Sequence, residues 1–139
     1  MRYSDKVLDH FENPRNAGSL DGSDPQVGTG IAGEPNFATI IRLQIKVNPD
    51  GVIEAVRFKT YGNAAVIASS SLITEWVKGK TLTEAEAITR FQIEEALALP
   101  PIKTYCAVFV IDAIRAAIGD YRAKRRSNNF KFNSFAETR

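Results

Sequence analysis

At 139 residues, with 44% hydrophobic and 24% charged residues, the chain has the size and composition of one core-forming domain. A single cysteine, Cys106, and a single histidine, His10, exclude an intramolecular disulfide. They also exclude a closed zinc or iron–sulfur site within one protomer, which takes about four nitrogen or sulfur ligands. The net charge of +2 is unevenly divided: residues 1–121 carry 12 Lys/Arg against 15 Asp/Glu, and residues 122–139 carry 6 against 1. No apolar run reaches the roughly 18 residues of a membrane span. The polar, charged N-terminus is no signal peptide, so a reducing, cytoplasmic setting is expected.

Residues 4–12 predict a short helix with Ser4 as N-cap and Val7, Leu8 and Phe11 as its apolar stripe. Asn13–Pro14 stops it. His10 falls off the stripe and reads as a solvated residue. Residues 15–38 read as a loop. Gly28, Gly30 and Gly33 spell G-x-G-x-x-G there, but neither a preceding strand nor a following helix supports a dinucleotide site. Thr39 to Val47 alternates, with Ile41, Leu43, Ile45 and Val47 on one face. Asn48-Pro49-Asp50-Gly51 is a turn, and a second strand follows over Val52 to Tyr61, with Ile53, Ala55 (or Val56) and Phe58 inward.

Asn63 is a suitable N-cap for a helix from Ala64 to Val77, which carries Ser69-Ser70-Ser71 in its middle. Mid-helix hydroxyls of this kind bond back to the i−4 carbonyl. Without a G-x-S-x-G elbow they do not read as catalytic. Gly79 caps the helix, Thr83 with Glu86 suggests a capping box for the next, and a short helix runs near Gln92 to Ala98. A final helix is predicted over about Thr104 to Arg125, with Cys106, Phe109, Val110, Ala113, Ile114, Ala117, Ile118 and Tyr121 as its buried stripe. The fold class is therefore α+β: a small antiparallel sheet covered on one face by C-terminal helices, with an N-terminal helix. Residues 1–126 form the domain. Residues 127–139 are a basic tail with Phe130, Phe132 and Phe135, read either as a loose tail or as a strand-like arm.

Chemical information concentrates in Leu99-Pro100-Pro101-Ile102-Lys103-Thr104-Tyr105-Cys106. Consecutive prolines demand an extended, exposed segment. Cys106 follows at a helix N-terminus near Lys103, and both features favour a thiolate. The alternative reading is a small buried core residue.

The order of elements and several near-continuous segments resemble the iron–sulfur cluster assembly scaffold family, the IscU type that matches the N-terminal module of NifU. The resemblance covers about residues 2–126. It rests on Tyr3-Ser4-Asp5-Lys6-Val7, His10-Phe11-Glu12-Asn13-Pro14-Arg15-Asn16, Arg57-Phe58-Lys59-Thr60-Tyr61-Gly62, Ala68-Ser69-Ser70-Ser71, Thr74-Glu75-Trp76-Val77-Lys78-Gly79-Lys80 and Leu99-Pro100-Pro101-Ile102-Lys103. The resemblance implies a scaffold rather than an enzyme. Such a scaffold assembles a 2Fe–2S cluster on three cysteines with a nearby aspartate and histidine. It takes sulfur from a pyridoxal-phosphate cysteine desulfurase and is recognised by an Hsp70-type chaperone at the L-P-P-[VI]-K loop.

The ligand positions depart from that pattern. Asn36-Phe37-Ala38-Thr39 stands where the family has A-C-G-D, Tyr61-Gly62-Asn63-Ala64 where it has Y-G-C-G, and Tyr105-Cys106 where it has H-C. Phe37, Thr39, Asn63 and Tyr105 thus occupy ligand positions, and Cys106 alone survives. No cofactor is expected in the monomer. The expected function is a ligand-depleted adaptor or regulator that docks on desulfurase and chaperone, with Leu99, Pro100, Pro101, Ile102 and Lys103 as the chaperone-docking segment. It would act as a homo-oligomer or by pairing with an authentic scaffold. Two alternatives are sulfur acceptance by Cys106, the one catalytic candidate, and a cluster held between protomers. Neither a membrane nor a nucleic acid is an expected partner.

Overall fold

The alternation in residues 39–47 builds the central strand of the sheet. The computed structural model describes the backbone of residues 2–137 and the side chains of residues 2–128. Strand β2 (Thr39–Val47) buries Ile41, Leu43, Ile45 and Val47 and pairs antiparallel with β3 (Ile53–Tyr61). The Asn48 side chain closes the turn between them, its Oδ1 accepting from the backbone N–H groups of Asp50 and Val52, both at 3.0 Å. Lys46 pairs with Ala55 and Val47 with Ile53, so Glu54 is bulged out of the ladder. That bulge puts Val56 rather than Ala55 in the core and explains the imperfect alternation of this segment.

A third strand lies where the sequence reads as loop. Strand β1 (Val27–Glu34) pairs antiparallel with β2, Gly30 opposite Leu43 and Ala32 opposite Ile41, giving the order β1-β2-β3. Glycine weakens strand propensity, which hides the element in the sequence. Here its absence of a side chain is a packing requirement. A Cβ on Gly28 would stand 2.1 Å from the Ala117 carbonyl oxygen, and one on Gly30 would stand 2.1 Å from that of Ala113. Helix α5 (Tyr105–Glu137) therefore lies directly on the backbone of β1.

Helices cover the inner face of the sheet. Helix α2 (Ala64–Val77) is buried around most of its circumference, Ser69, Ser70 and Ser71 included. Ser70 makes the expected back-bond, its Oγ donating to the Val66 carbonyl at 2.9 Å. The short helices α3 (Leu82–Glu86) and α4 (Arg90–Leu97) follow, each opened by a capping box. The first box is Thr81 with Glu84, two residues before the expected Thr83 and Glu86, because Lys80 ends its backbone pairing with Ile53 there. Helix α5 then supplies Cys106, Val110, Ala113, Ile114, Ala117, Ile118 and Tyr121 to the core, with Phe109 half-buried. It does not stop near Arg125. The backbone stays helical to Glu137, so residues 127–137 continue the helix rather than extend as a strand-like arm. No proline or glycine interrupts the chain between Gly119 and Glu137. The side chains of Phe130, Phe132 and Phe135 lie outside those described.

Helix α1 (Asp5–Glu12) has the expected cap, Ser4 Oγ accepting from the Val7 N–H at 3.2 Å, but not the expected buried face. Leu8 and Phe11 are exposed, and His10 is buried with Val7 at 3% exposure. His10 is thus no solvated residue. Its Nδ1 lies 2.8 Å from Ser71 Oγ and its Nε2 3.3 Å from Glu75 Oε1. Ser71 Oγ also accepts the Arg15 backbone N–H at 2.9 Å. These partners fit a neutral imidazole: the Ser71 hydroxyl donates to Nδ1, and Nε2–H donates to the carboxylate. Burial, helped by the Arg15 charge, holds the His10 pKa below its ordinary value despite Glu75.

The unfolded chain therefore takes up this proton at a higher pH than the folded one. The stability contributed by neutral His10 is complete above its unfolded pKa near 6.5 and is lost as pH falls through the lower folded value. In urea titrations between pH 7.5 and pH 5, wild type should lose stability steadily on the acid side, and the His10→Gln variant should lose less. Parallel curves would show that His10 is not the group responsible.

Candidate functional site

Three segments meet at one end of the sheet: the turn from β1 into β2, the start of α2 and the start of α5. Pro35–Phe37 forms a single 3-10 turn, closed by Ala38 in the left-handed conformation at φ 49°. That conformation favours glycine, the residue the family pattern carries there. Thr39 is buried, and its Oγ donates to the Phe37 carbonyl at 2.9 Å. At the start of α2, Asn63 acts as the expected N-cap: its Oδ1 accepts from the N–H groups of Ala65 and Val66 at 3.0 and 3.2 Å. Its Nδ2 donates to the Tyr105 hydroxyl at 2.8 Å.

Of the four residues that the resemblance puts at ligand positions, Phe37 and Tyr105 pack with Phe109 in an aromatic cluster, Asn63 bonds the Tyr105 hydroxyl, and Thr39 bonds the Phe37 carbonyl. Phe37 and Tyr105 have ring centroids 4.7 Å apart, Phe37 and Phe109 5.6 Å, and Tyr105 and Phe109 5.9 Å. Edge and tilted pairs of this kind contribute about 0.5–1.5 kcal/mol each beyond their burial. A cleft of about 490 Å³ opens beside them, lined by Phe37, Ala38, Thr60, Tyr61, Gly62 and Asn63. The sequence reads Phe109 as a core residue on its helix stripe and gives Ile40 no role, although an isoleucine on the polar face of a strand is a visible signal.

This donor set does not fit an iron–sulfur cluster. Phenyl rings donate nothing, the Thr39 hydroxyl and both Asn63 amide atoms already have partners, and neutral oxygens suit soft irons poorly. One sulfur remains. Among the described residues, no group of three or more His, Cys, Asp or Glu side chains is placed to hold a metal ion.

Cys106 is fully buried. Burial pushes its thiol up to about 11, outweighing the hydrogen bond with Tyr105 and the Lys103 charge, which pull it down. Of the two readings, the placement agrees with the small buried core residue: desolvation outweighs the features that favour a thiolate. A thiol reagent such as DTNB should accordingly leave native protein nearly unlabelled at pH 8 and titrate one thiol in denaturant. Fast, complete labelling of the native chain would contradict this placement.

The Leu99–Lys103 segment is exposed only in part. Ala98 ends α4 at φ 48°, Leu99 is anchored in the core, and Pro100 is extended at φ −60°, ψ 148°. Pro101–Lys103 then forms a 3-10 turn rather than continuing extended, the Lys103 N–H bonding the Pro100 carbonyl at 2.8 Å. The turn projects Ile102, 70% exposed, into solvent. Among the described residues, no helix is long and apolar enough to cross a membrane.

Comparison with known proteins bears on the same residues. Residues 2–128 match the model of the NifU-like N terminal domain. The chain is 60% identical over 125 residues to the iron–sulfur cluster assembly scaffold protein IscU of Azotobacter vinelandii, covering 90% of this chain and 98% of that protein. It is 57% identical over 127 residues to IscU of Escherichia coli K12, covering 91% and 99%. Among solved structures, a putative iron–sulfur cluster assembly scaffold protein for the SUF system from Fervidobacterium islandicum superposes with a TM-score of 0.68 at 17% identity, covering 84% of this chain and 96% of that one. The N-terminal part of a nitrogen-fixing NifU-like protein from Brucella abortus gives 0.65 at 19%, covering 87% and 94%. At those identities the two structures establish the shared fold.

Proposed function

The chain belongs to the NifU-like N-terminal domain family, and from that premise we propose that it is a scaffold-type assembly protein whose cluster site has been closed, serving as an adaptor or regulator. One observation supports this reading: an aromatic cluster tied to Asn63 by the Tyr105 hydroxyl includes Phe37 and Tyr105, two of the positions that the resemblance gives to ligands. Such packing stabilises a metal-free site in place of thiolates. The fold around it keeps the projecting Ile102 turn and the segments that the resemblance assigns to partners. A pyridoxal-phosphate cysteine desulfurase and an Hsp70-type chaperone are the partners this reading expects.

Anaerobic incubation with iron and sulfide, followed by desalting, tests it. The expected result is no charge-transfer absorption stoichiometric with protein, together with capture of the desulfurase or the chaperone by the immobilised chain. A persistent cluster spectrum overturns the closed site, and recovery of neither partner overturns the adaptor role. Incubation with desulfurase and cysteine should add no sulfur to the intact mass, since the Cys106 thiol is buried and protonated.

A further inference from the structure

We propose that the open half of the β1 edge, Ile31–Glu34, pairs antiparallel with the same edge of a second copy of this chain. Strand β1 is an edge of the sheet, and half of that edge is closed from within. The Thr29 N–H donates to Asp120 Oδ2 at 2.8 Å, and the Val27 carbonyl accepts from Lys124 Nζ at 2.8 Å. These bonds show that Val27 and Thr29 point backbone groups away from β2, and the unbroken register with β2 to Glu34 carries that alternation on to Ile31 and Gly33. Asp120 and Lys124 are successive residues of one helix face, spaced by four. One turn earlier on that face stands Ala116, whose methyl group cannot bond the backbone of Ile31. The edge therefore lacks at Ile31 the protection it has at Val27 and Thr29, and an unprotected edge is a template for another strand.

The surroundings favour a second copy in one register. Pairing Ile31 with Gly33 of the second copy, and Gly33 with Ile31 of the second copy, uses the outward N–H and C=O groups of both residues about a two-fold axis. Sliding the strands one way would demand the Thr29 N–H, which Asp120 already holds. Sliding them the other way would oppose Ile31 with Pro35, which has no N–H. In the remaining register, Ile31 of the second copy stands over Gly33, where no side chain obstructs it. Gly33 pairs with Ile40, and Ile40 with Tyr61, so the incoming isoleucine extends an apolar row across the outer face. Ile31, Ile40 and Tyr61 are 65%, 54% and 73% exposed in the single chain. Covering such a row is a driving force that backbone bonds alone do not supply.

Sedimentation equilibrium of the full chain across micromolar to sub-millimolar concentration tests this. The expected result is a reversible dimer that Ile31→Asp weakens by about tenfold or more. Phe91→Asp, on the exposed side of α4, should leave it unchanged. Amide exchange localises the contact: protection of Ile31 and Gly33 should rise with protein concentration, while Thr29 stays constant. A monomer at every concentration, a dimer indifferent to Ile31→Asp, or concentration-independent exchange at Ile31 would each overturn the proposal. Circular dichroism verifies that Ile31→Asp, at an exposed position, remains folded.

Discussion

Replacing Gly30 with valine should lower the stability of the fold by about 3 kcal/mol or more. That corresponds to a drop of roughly 10 °C in the thermal midpoint for a domain of this size. A Cβ at this position would lie 2.1 Å from the Ala113 carbonyl oxygen and 2.4 Å from the Ala117 nitrogen. Both are backbone atoms inside a helix, so no side-chain rotation relieves the clash. Helix α5 would have to lift from β1, opening the interface on which most of the C-terminal core rests. Gly119→Ala is the matched control. It sits in the same helix with nothing within 4 Å of the added carbon, and should stabilise by about 0.5–1 kcal/mol through helix propensity. Calorimetry of the two variants separates a steric glycine from a merely flexible one. Equal midpoints for Gly30→Val and wild type would mean that the helix does not rest on the strand.

Restoring the family's ligands should convert the protein into a cluster binder. The variant carries Phe37→Cys, Thr39→Asp, Asn63→Cys and Tyr105→His together beside the native Cys106. The backbone that would present them is already in place: the left-handed Ala38, the start of α2 and the start of α5. The exchange removes three aromatic contacts and the Asn63 cap, costing about 3 kcal/mol in all. After anaerobic reconstitution, the variant should show charge-transfer absorption stoichiometric with protein, and wild type none. A folded variant that stays colourless would show that something other than the missing ligands closes the site. The Asn63→Cys change alone should cost about 1 kcal/mol through the lost cap, whether or not metal is present.

Both experiments turn on features of different visibility. The departures that the resemblance implies at Asn63 and Tyr105 are read beside matching segments, Arg57–Gly62 and Leu99–Lys103, whereas Phe37 and Thr39 stand in a stretch without one. What fills the vacated space is not. That Phe37 meets Tyr105 and Phe109 depends on two segments nearly seventy residues apart. The glycines of β1 mislead for a related reason. Local propensity describes a residue's own backbone, whereas the need for glycine at 28 and 30 is imposed by a helix that comes roughly ninety residues later. His10 belongs to the same class. Its helix presents Leu8 and Phe11 as the apolar choice, yet the buried Ser71 hydroxyl and the Glu75 carboxylate reward the imidazole instead. Cys106 shows competing effects. Its lysine neighbour is readable and does lower the pKa, as does the hydrogen bond with Tyr105, but burial is the larger effect and depends on packing.

By itself the sequence determined the α+β class, the β2–β3 hairpin, the caps at Ser4 and Asn63, and the family. Each of these rests on spacing or identity over a few neighbouring residues, where hydrogen bonds and side-chain periodicity are local. Only the tertiary structure decided that a glycine-rich stretch is the third strand and that His10 is an interior group. It also decided that Cys106 is buried with its thiol pKa raised, and that helix α5 bonds the backbone of one sheet edge at Val27 and Thr29. Those outcomes depend on which surfaces are brought together and dried, a property of the whole chain that no short window contains.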